Sequence, residues 1–127
     1  MDRYDVIIIG AGPAGLRCAE ILSKSALSVI ILEKGEIVGD KVCAGGVTRK
    51  DMAVIAIPDS IIEHKVTKTA VFSEKRNSMT NAPEPFVFTL KRKDLGGWQR
   101  EQLENSTVEV RTKSKVTEIK HDHVIVD

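Results

Sequence analysis

Gly10-Ala11-Gly12-Pro13-Ala14-Gly15 is the part of this sequence best suited to chemistry. The spacing is G-x-G-x-x-G, and each glycine has a separate task. Gly10 permits a tight turn out of a strand. Gly12 lets the backbone approach a pyrophosphate where a Cβ would collide. Gly15 lets the following helix pack closely on the sheet. A helix that opens there offers unpaired N–H groups and a partial positive charge to a bridging diphosphate. Pro13 suits the first helical position, where its missing N–H costs nothing. Glu33 lies about 20 residues further on, where a carboxylate accepts hydrogen bonds from the ribose hydroxyls of a dinucleotide. Its charge disfavours a 2′-phosphate. The pattern alone serves NAD as well as FAD. Two features lean toward FAD: the motif stands at the extreme N-terminus, and Glu33-Lys34 runs into a glycine-rich loop rather than a third buried strand.

Other reactive side chains are sparse. Cys43 is the one candidate for a redox-active thiol, set against the plainer reading of a small packing residue in a cofactor loop. Cys18 falls on the apolar stripe of the first helix and is expected in the core. The two cysteines are too far apart for a Cys-x-x-Cys site. His121-x-His123 has no evident third ligand for a metal. Arg92, within Lys91-Arg92-Lys93, is a candidate phosphate partner, and Trp98 reads as packing. No Ser-His-Asp set and no recognisable pair of carboxylates can be assembled. That fits chemistry in which a bound flavin carries the hydride and the protein supplies orientation and electrostatics.

The elements that must hold these residues follow from pattern. Residues 4–9 form a continuous β-branched run, the mark of a central parallel strand covered on both faces. Residues 14–24 carry apolar positions at Leu16, Cys18, Ala19, Ile21 and Leu22, an amphipathic helix. Residues 28–32 read as a second buried strand. Strand, glycine turn, helix and strand make a βαβ unit over residues 1–34. Residues 35–47 read as a glycine-rich cofactor loop. Within 48–127, Thr48 with Asp51 caps a short helix to Ile57. Strands are expected at 68–72 and 86–90, joined by a polar stretch. A helix is expected over 93–104, weakened by Gly96-Gly97, then three closing strands at 107–111, 115–119 and 123–126. The fold class is α/β: a Rossmann-like βαβ unit with additional mixed and antiparallel strands.

Composition sets outer limits. The chain has 127 residues, one domain's worth, with 42% hydrophobic and 29% charged residues. Nineteen basic against eighteen acidic side chains give +1, which argues against a polybasic nucleic-acid binder. No apolar run reaches the ~20 residues of a membrane span, and the N-terminus lacks a signal-peptide pattern. The expectation is a cytoplasmic location, with peripheral membrane contact left open.

Residues 4–15 and Val29-Ile30-Ile31-Leu32-Glu33-Lys34 resemble the start of flavoproteins of the glutathione-reductase-like FAD superfamily. Lys41-Val42-Cys43-Ala44-Gly45-Gly46-Val47 is similar to the Cys-Gly-Gly-Gly loop of geranylgeranyl reductases, including the archaeal digeranylgeranylglycerophospholipid reductases. Residues 91–98 resemble that family's Arg-x-x-Phe-Asp-x-Trp-Leu segment. The resemblance implies an FAD-dependent oxidoreductase that saturates isoprenoid double bonds of lipids, with NAD(P)H or another reductant as electron donor. It places Ala14 and Glu33 at the AMP half of FAD, and Gly10, Gly12, Pro13, Gly15 and Lys34 complete the expected cofactor-binding set there. It places Cys43, Ala44 and Gly46 beside the flavin, Arg92 at phosphate or ribitol, and the Val116 backbone at adenine. Ala44 stands where the family has glycine, which restricts φ there, and Gly96-Gly97 stands where it has Phe-Asp. Family members are much longer and carry a second Gly-Asp cofactor motif and a substrate domain. The chain is therefore expected to be an N-terminal portion, catalytically incomplete alone. Rival readings are an FAD-dependent monooxygenase of the same superfamily and a non-catalytic adenine-dinucleotide-binding module.

Overall fold

Val6–Ile9 forms β1 and Val29–Leu32 forms β2, joined through the glycine turn and helix α1 (Pro13–Leu22). The two strands are parallel, with Val6 opposite Val29 and Ile9 opposite Leu32. A computed structural model describes all 127 residues. It divides them into two compact units: residues 1–41 with 92–127, and residues 42–91. Every residue of β2 is buried, as a doubly covered strand requires. β1 differs from the sequence expectation. It is an edge strand, and Ile7 and Ile9, on the face away from α1, are exposed. Both strands are equally apolar, so pattern alone assigns the central place to either.

Helix α1 buries Leu16 and Ala19 against Ala11, Ile31, Val38 and Leu103, with Ile8, Val108 and Val110 at the margin. Cys18 is exposed, contrary to its expected place in the core. Two residues on from Leu16 the helix has turned about 200°, away from the packed face. The helix stops at a serine-rich turn, where Ser23 N–H donates to the Ala19 carbonyl at 2.7 Å and Ser23 Oγ to that of Glu20 at 2.7 Å. Before β2, Ser28 N–H and Oγ both donate to the Asp5 carboxylate, at 2.8 and 2.7 Å. These bonds, the backbone one first, hold the Asp5 carboxyl below its usual range.

The second unit begins with β3 (Gly46–Thr48), an antiparallel partner of β7 (Val87–Thr89). On the other side of β7 lies β4 (His64–Val66), also antiparallel. Helix α2 (Arg49–Val54) opens on the expected capping box: Asp51 N–H donates to Thr48 Oγ1, and Thr48 N–H to the Asp51 carboxylate at 3.0 Å. It ends before Ile57, because Ile55 is extended. A single 3-10 turn, Asp59–Ile61, follows. β5 (Lys68–Phe72) and β6 (Asn77–Asn81) form a separate antiparallel hairpin. Asn77–Asn81 belongs to the stretch expected to be a polar link. Backbone pairing carries this strand, so apolar alternation never marked it.

The chain then returns to the first unit through helix α3 (Arg92–Glu101). Gly96 is its point of close approach. A Cβ there would lie 2.9 Å from Gly39 Cα and 3.0 Å from the Val38 carbonyl oxygen. The glycine that lowers helix propensity is thus what lets α3 lie on the loop after β2. Strand β8 (Glu109–Arg111) adds to β2 in parallel, giving the order β1-β2-β8. Only β9 (Val116–Ile119) and β10 (Val124–Val126) close the chain as an antiparallel hairpin. Arg111 joins Glu109 at 2.7 Å and Asp2 at 3.1 Å, and the Tyr4 hydroxyl donates to Glu109. The Tyr4 bond, then Arg111, holds the Glu109 carboxyl below its ordinary range. Asp2 and Glu109 are exposed and Tyr4 and Arg111 half-buried, and an ion pair so open to solvent adds little stability. No helix is long and apolar enough to cross a membrane.

Candidate functional site

The glycine turn is fastened to the sheet from below and open above. Gly10 takes a φ of +100°, which a side chain would strain. Its N–H donates to the Leu32 carbonyl at 2.8 Å, so the turn is fixed to the end of β2. A Cβ on Gly15 would strike the Gly10 carbonyl oxygen and come within 3.3 Å of Ile8 Cγ2. A Cβ on Gly12 would meet nothing within 4 Å. Gly12 is also the N-cap of α1, no side chain caps the helix, and Pro13 is its first residue. The N–H groups of Ala14 and Gly15 therefore have no intrahelical acceptor. An uncapped helix start beside open space is an anion-binding geometry.

Glu33 follows directly on β2 and is half-buried. Its two oxygens are both engaged: Oε2 accepts from Ala11 N–H and Oε1 from Gly35 N–H, each at 2.7 Å. The carboxylate thus bridges the glycine turn and the loop after β2, a structural role the motif does not announce. Each oxygen retains a second acceptor direction for a hydroxyl donor. Lys34 is exposed. The segment after β8 wraps around the same corner, since Ser114 N–H donates to the Glu33 carbonyl at 2.9 Å and Lys113 N–H to that of Gly35 at 3.0 Å. Lys113 reaches this through a φ of +52°. Val116, half-buried, opens β9 two residues beyond Ser114.

Arg92, at the start of α3, is half-buried, and its Nε is enclosed with no hydrogen-bond partner. No carboxylate pairs with it. Gln99, one side of α3 further on, is buried and was not marked by any motif. Its Nε2 donates to the Pro13 carbonyl at 3.2 Å, tying α3 to the first turn of α1. Nothing in a single sequence distinguishes this glutamine from an exposed one. Gly10 to Gly15, Glu33, Lys34, Arg92 and Val116 all belong to the first unit. The bare helix start and the open space beside Gly12 suit a diphosphate-linked dinucleotide.

Cys43, Ala44 and Gly46 belong to the second unit. Cys43 is a free, exposed thiol whose sulfur accepts from Gly45 N–H at 3.4 Å. Ala44 adopts an ordinary negative φ. The left-handed position is Gly45, at +69°, where a Cβ would also strike the Leu90 carbonyl oxygen. The alanine that departs from the family pattern thus carries no backbone strain. Gly46 is exposed and pairs with Thr89 as the first residue of β3. No group of three His, Cys, Asp or Glu side chains converges as metal ligands. His123 Nδ1 lies 2.7 Å from its neighbour Asp122.

The Thi4 family model matches residues 1–78. Digeranylgeranylglycerophospholipid reductase 1 of Methanococcoides burtonii is 31% identical over 122 residues, covering 91% of this chain and 30% of that protein. A probable electron transfer flavoprotein-quinone oxidoreductase of Escherichia coli is 28% identical over 83% of this chain and 28% of its own length. The crystal structure of a geranylgeranyl bacteriochlorophyll reductase-like protein from Thermoplasma acidophilum superposes with a TM-score of 0.81 at 21% identity. That match covers 97% of this chain and 36% of that one, and it establishes the α/β fold. The chain thus spans about 30% of the length of the curated reductase it matches. With the family model lying on more than half of its residues, the chain belongs to the Thi4 family.

Proposed function

We propose that this chain binds the AMP half of FAD and is the N-terminal part of the FAD-binding domain of an oxidoreductase that reduces isoprenoid double bonds of lipids. The observation that carries the reading is the start of α1. An uncapped helix N-terminus opens beside a glycine with free space around it, and Glu33 directly follows the neighbouring strand. The backbone N–H groups of Gly12, Ala14 and Gly15 hold the pyrophosphate, and Gly10 and Pro13 shape the turn that presents them. Glu33 accepts from the ribose hydroxyls, with Lys34 beside it. The unpartnered guanidinium of Arg92 neutralises phosphate charge. The Val116 backbone borders the adenine. FAD, when bound, supplies the hydride chemistry, and NAD(P)H or another reductant recharges it. The relatives named for a lipid reductase support the substrate class. A cytoplasmic protein in transient contact with a membrane suits that substrate.

The test is calorimetric titration of the purified chain with FAD, ADP and NAD, together with an absorbance scan for co-purified flavin. FAD binding clearly tighter than NAD supports the reading. Weak, equal binding of all three reduces it to a generic nucleotide turn.

A further inference from the structure

The β5–β6 hairpin carries the two largest exposed apolar side chains of the second unit: Phe72 is 74% exposed and Met79 76%. Strand pairing sets Ala70 opposite Met79 and Phe72 opposite Asn77. Residues directly opposite share a face, as do residues two apart. Ala70, Phe72 and Met79 therefore form one apolar patch. Lys68 and Asn81 bound it at the open end of the hairpin. At the other end the turn is Ser73-Glu74-Lys75-Arg76, closed by Ser73 N–H and Oγ donating to the Arg76 carbonyl at 2.9 and 2.7 Å. Lys68, Lys75 and Arg76 take part in no ion pair and are exposed. The hairpin holds three basic residues against one acidic one, in a chain whose total charge is only +1.

We propose that the β5–β6 hairpin is a docking surface for an anionic phospholipid bilayer. Phe72 and Met79 enter the headgroup–acyl boundary, where an aromatic ring and a flexible thioether are well accommodated. Lys68, Lys75 and Arg76 then lie at headgroup level, where their unpaired charges meet lipid phosphate. The complementarity is what selects this occupant. A negatively charged lipid surface engages the patch and its basic flanks together. This deepens the lipid reading above and rests on it for its purpose, but its geometry is independent of the cofactor site.

The experiment is co-sedimentation of the whole chain with phosphatidylcholine vesicles made with and without phosphatidylglycerol, at low and high salt. Binding should require the anionic lipid and weaken as salt rises. The Phe72→Ser/Met79→Ser double variant should lose on the order of tenfold or more in partitioning. Lys75→Glu and Arg76→Glu should each lose at least about fivefold on anionic vesicles. All four positions are exposed, so circular dichroism melts should match the parent and certify folding. FAD titration of the same variants should be unchanged, which separates this proposal from the cofactor reading. Equal partitioning of parent and double variant overturns it, as does absence of binding to anionic vesicles. Concentration-dependent self-association abolished by the same double variant, without vesicle binding, also overturns it and assigns the patch to a second copy.

Discussion

The two units of the chain spend their residues differently. The first puts Ala11, Leu16, Ala19, Ile31, Val38 and Leu103 into one cluster and buries all of β2. The second buries few apolar side chains, Ile57 and Leu90 among them, and leaves every residue of β5 and β6 exposed. Yet both contain a glycine-rich loop. In the first, the loop has one glycine pressed against backbone, Gly15, and one facing open space, Gly12. In the second, Gly45 is spent on the path of the chain beside Leu90. A glycine therefore signals a ligand only where its missing side chain leaves room that the protein itself does not fill. Rigidity and ligand access are separable properties, held by different glycines three residues apart.

The sharpest way to break that comparison is Gly15→Val. Its side chain must displace the Gly10 carbonyl and the start of α1, so a loss of roughly 3 kcal/mol or more is expected in urea denaturation. A small loss would mean that α1 is not held as closely as the structure has it. Leu16→Ala should cost about 2–5 kcal/mol by the same assay, from the first unit's core. Met79→Ala, an equally apolar truncation in the second unit, should stay within about 0.5 kcal/mol. Gly12→Val inverts the pattern: calorimetry should show dinucleotide binding abolished, while the melting temperature barely moves. A large drop in stability there would show that Gly12, too, is structural. Thr48→Ala removes the capping box of α2 and should cost about 1 kcal/mol, read as faster hydrogen exchange in 49–54 alone.

The smallest effect is on pH. Hydrogen bonds from Ser28 depress the folded pKa of Asp5 below its ordinary 3.8. The stability they add is present above that unfolded value and lost as pH falls through the depressed one. Asp5→Asn should therefore flatten the acid limb of a melting-temperature profile below about pH 4 and leave the neutral region nearly parallel. An acid limb as steep as the parent's would show that other carboxylates govern it.

How much of this was legible in the residues depended on the range of the interaction. The glycine turn, α1, β2 and the Thr48–Asp51 box are local patterns, and they appear where spacing puts them. Glu33 was legible by position, but its bonds to Ala11 and Gly35 were not, because the motif records only what a ligand would need. Cys18 and Ile21 were misplaced in a stripe drawn too wide. The exposed edge position of β1 depends on strand order, which its composition does not encode. Gly96 reads as a defect until its partner Gly39, far away in sequence, is known. Gln99 is invisible for the same reason: its acceptor is 86 residues distant.

The contact between the loop after β2 and the head of α3 has an architectural consequence. A side chain on Gly39 would sit 2.5 Å from the Arg92 carbonyl oxygen, so the chain leaves the first unit and re-enters it at nearly one point. Residues 42–91 are thus an insertion between adjacent anchor points, the arrangement most tolerant of exchange. The gap is short enough for a tight turn to bridge. The first unit can be retained while the inserted module is replaced, lengthened or grafted from another protein, with Gly39 and Gly96 as the fixed seam.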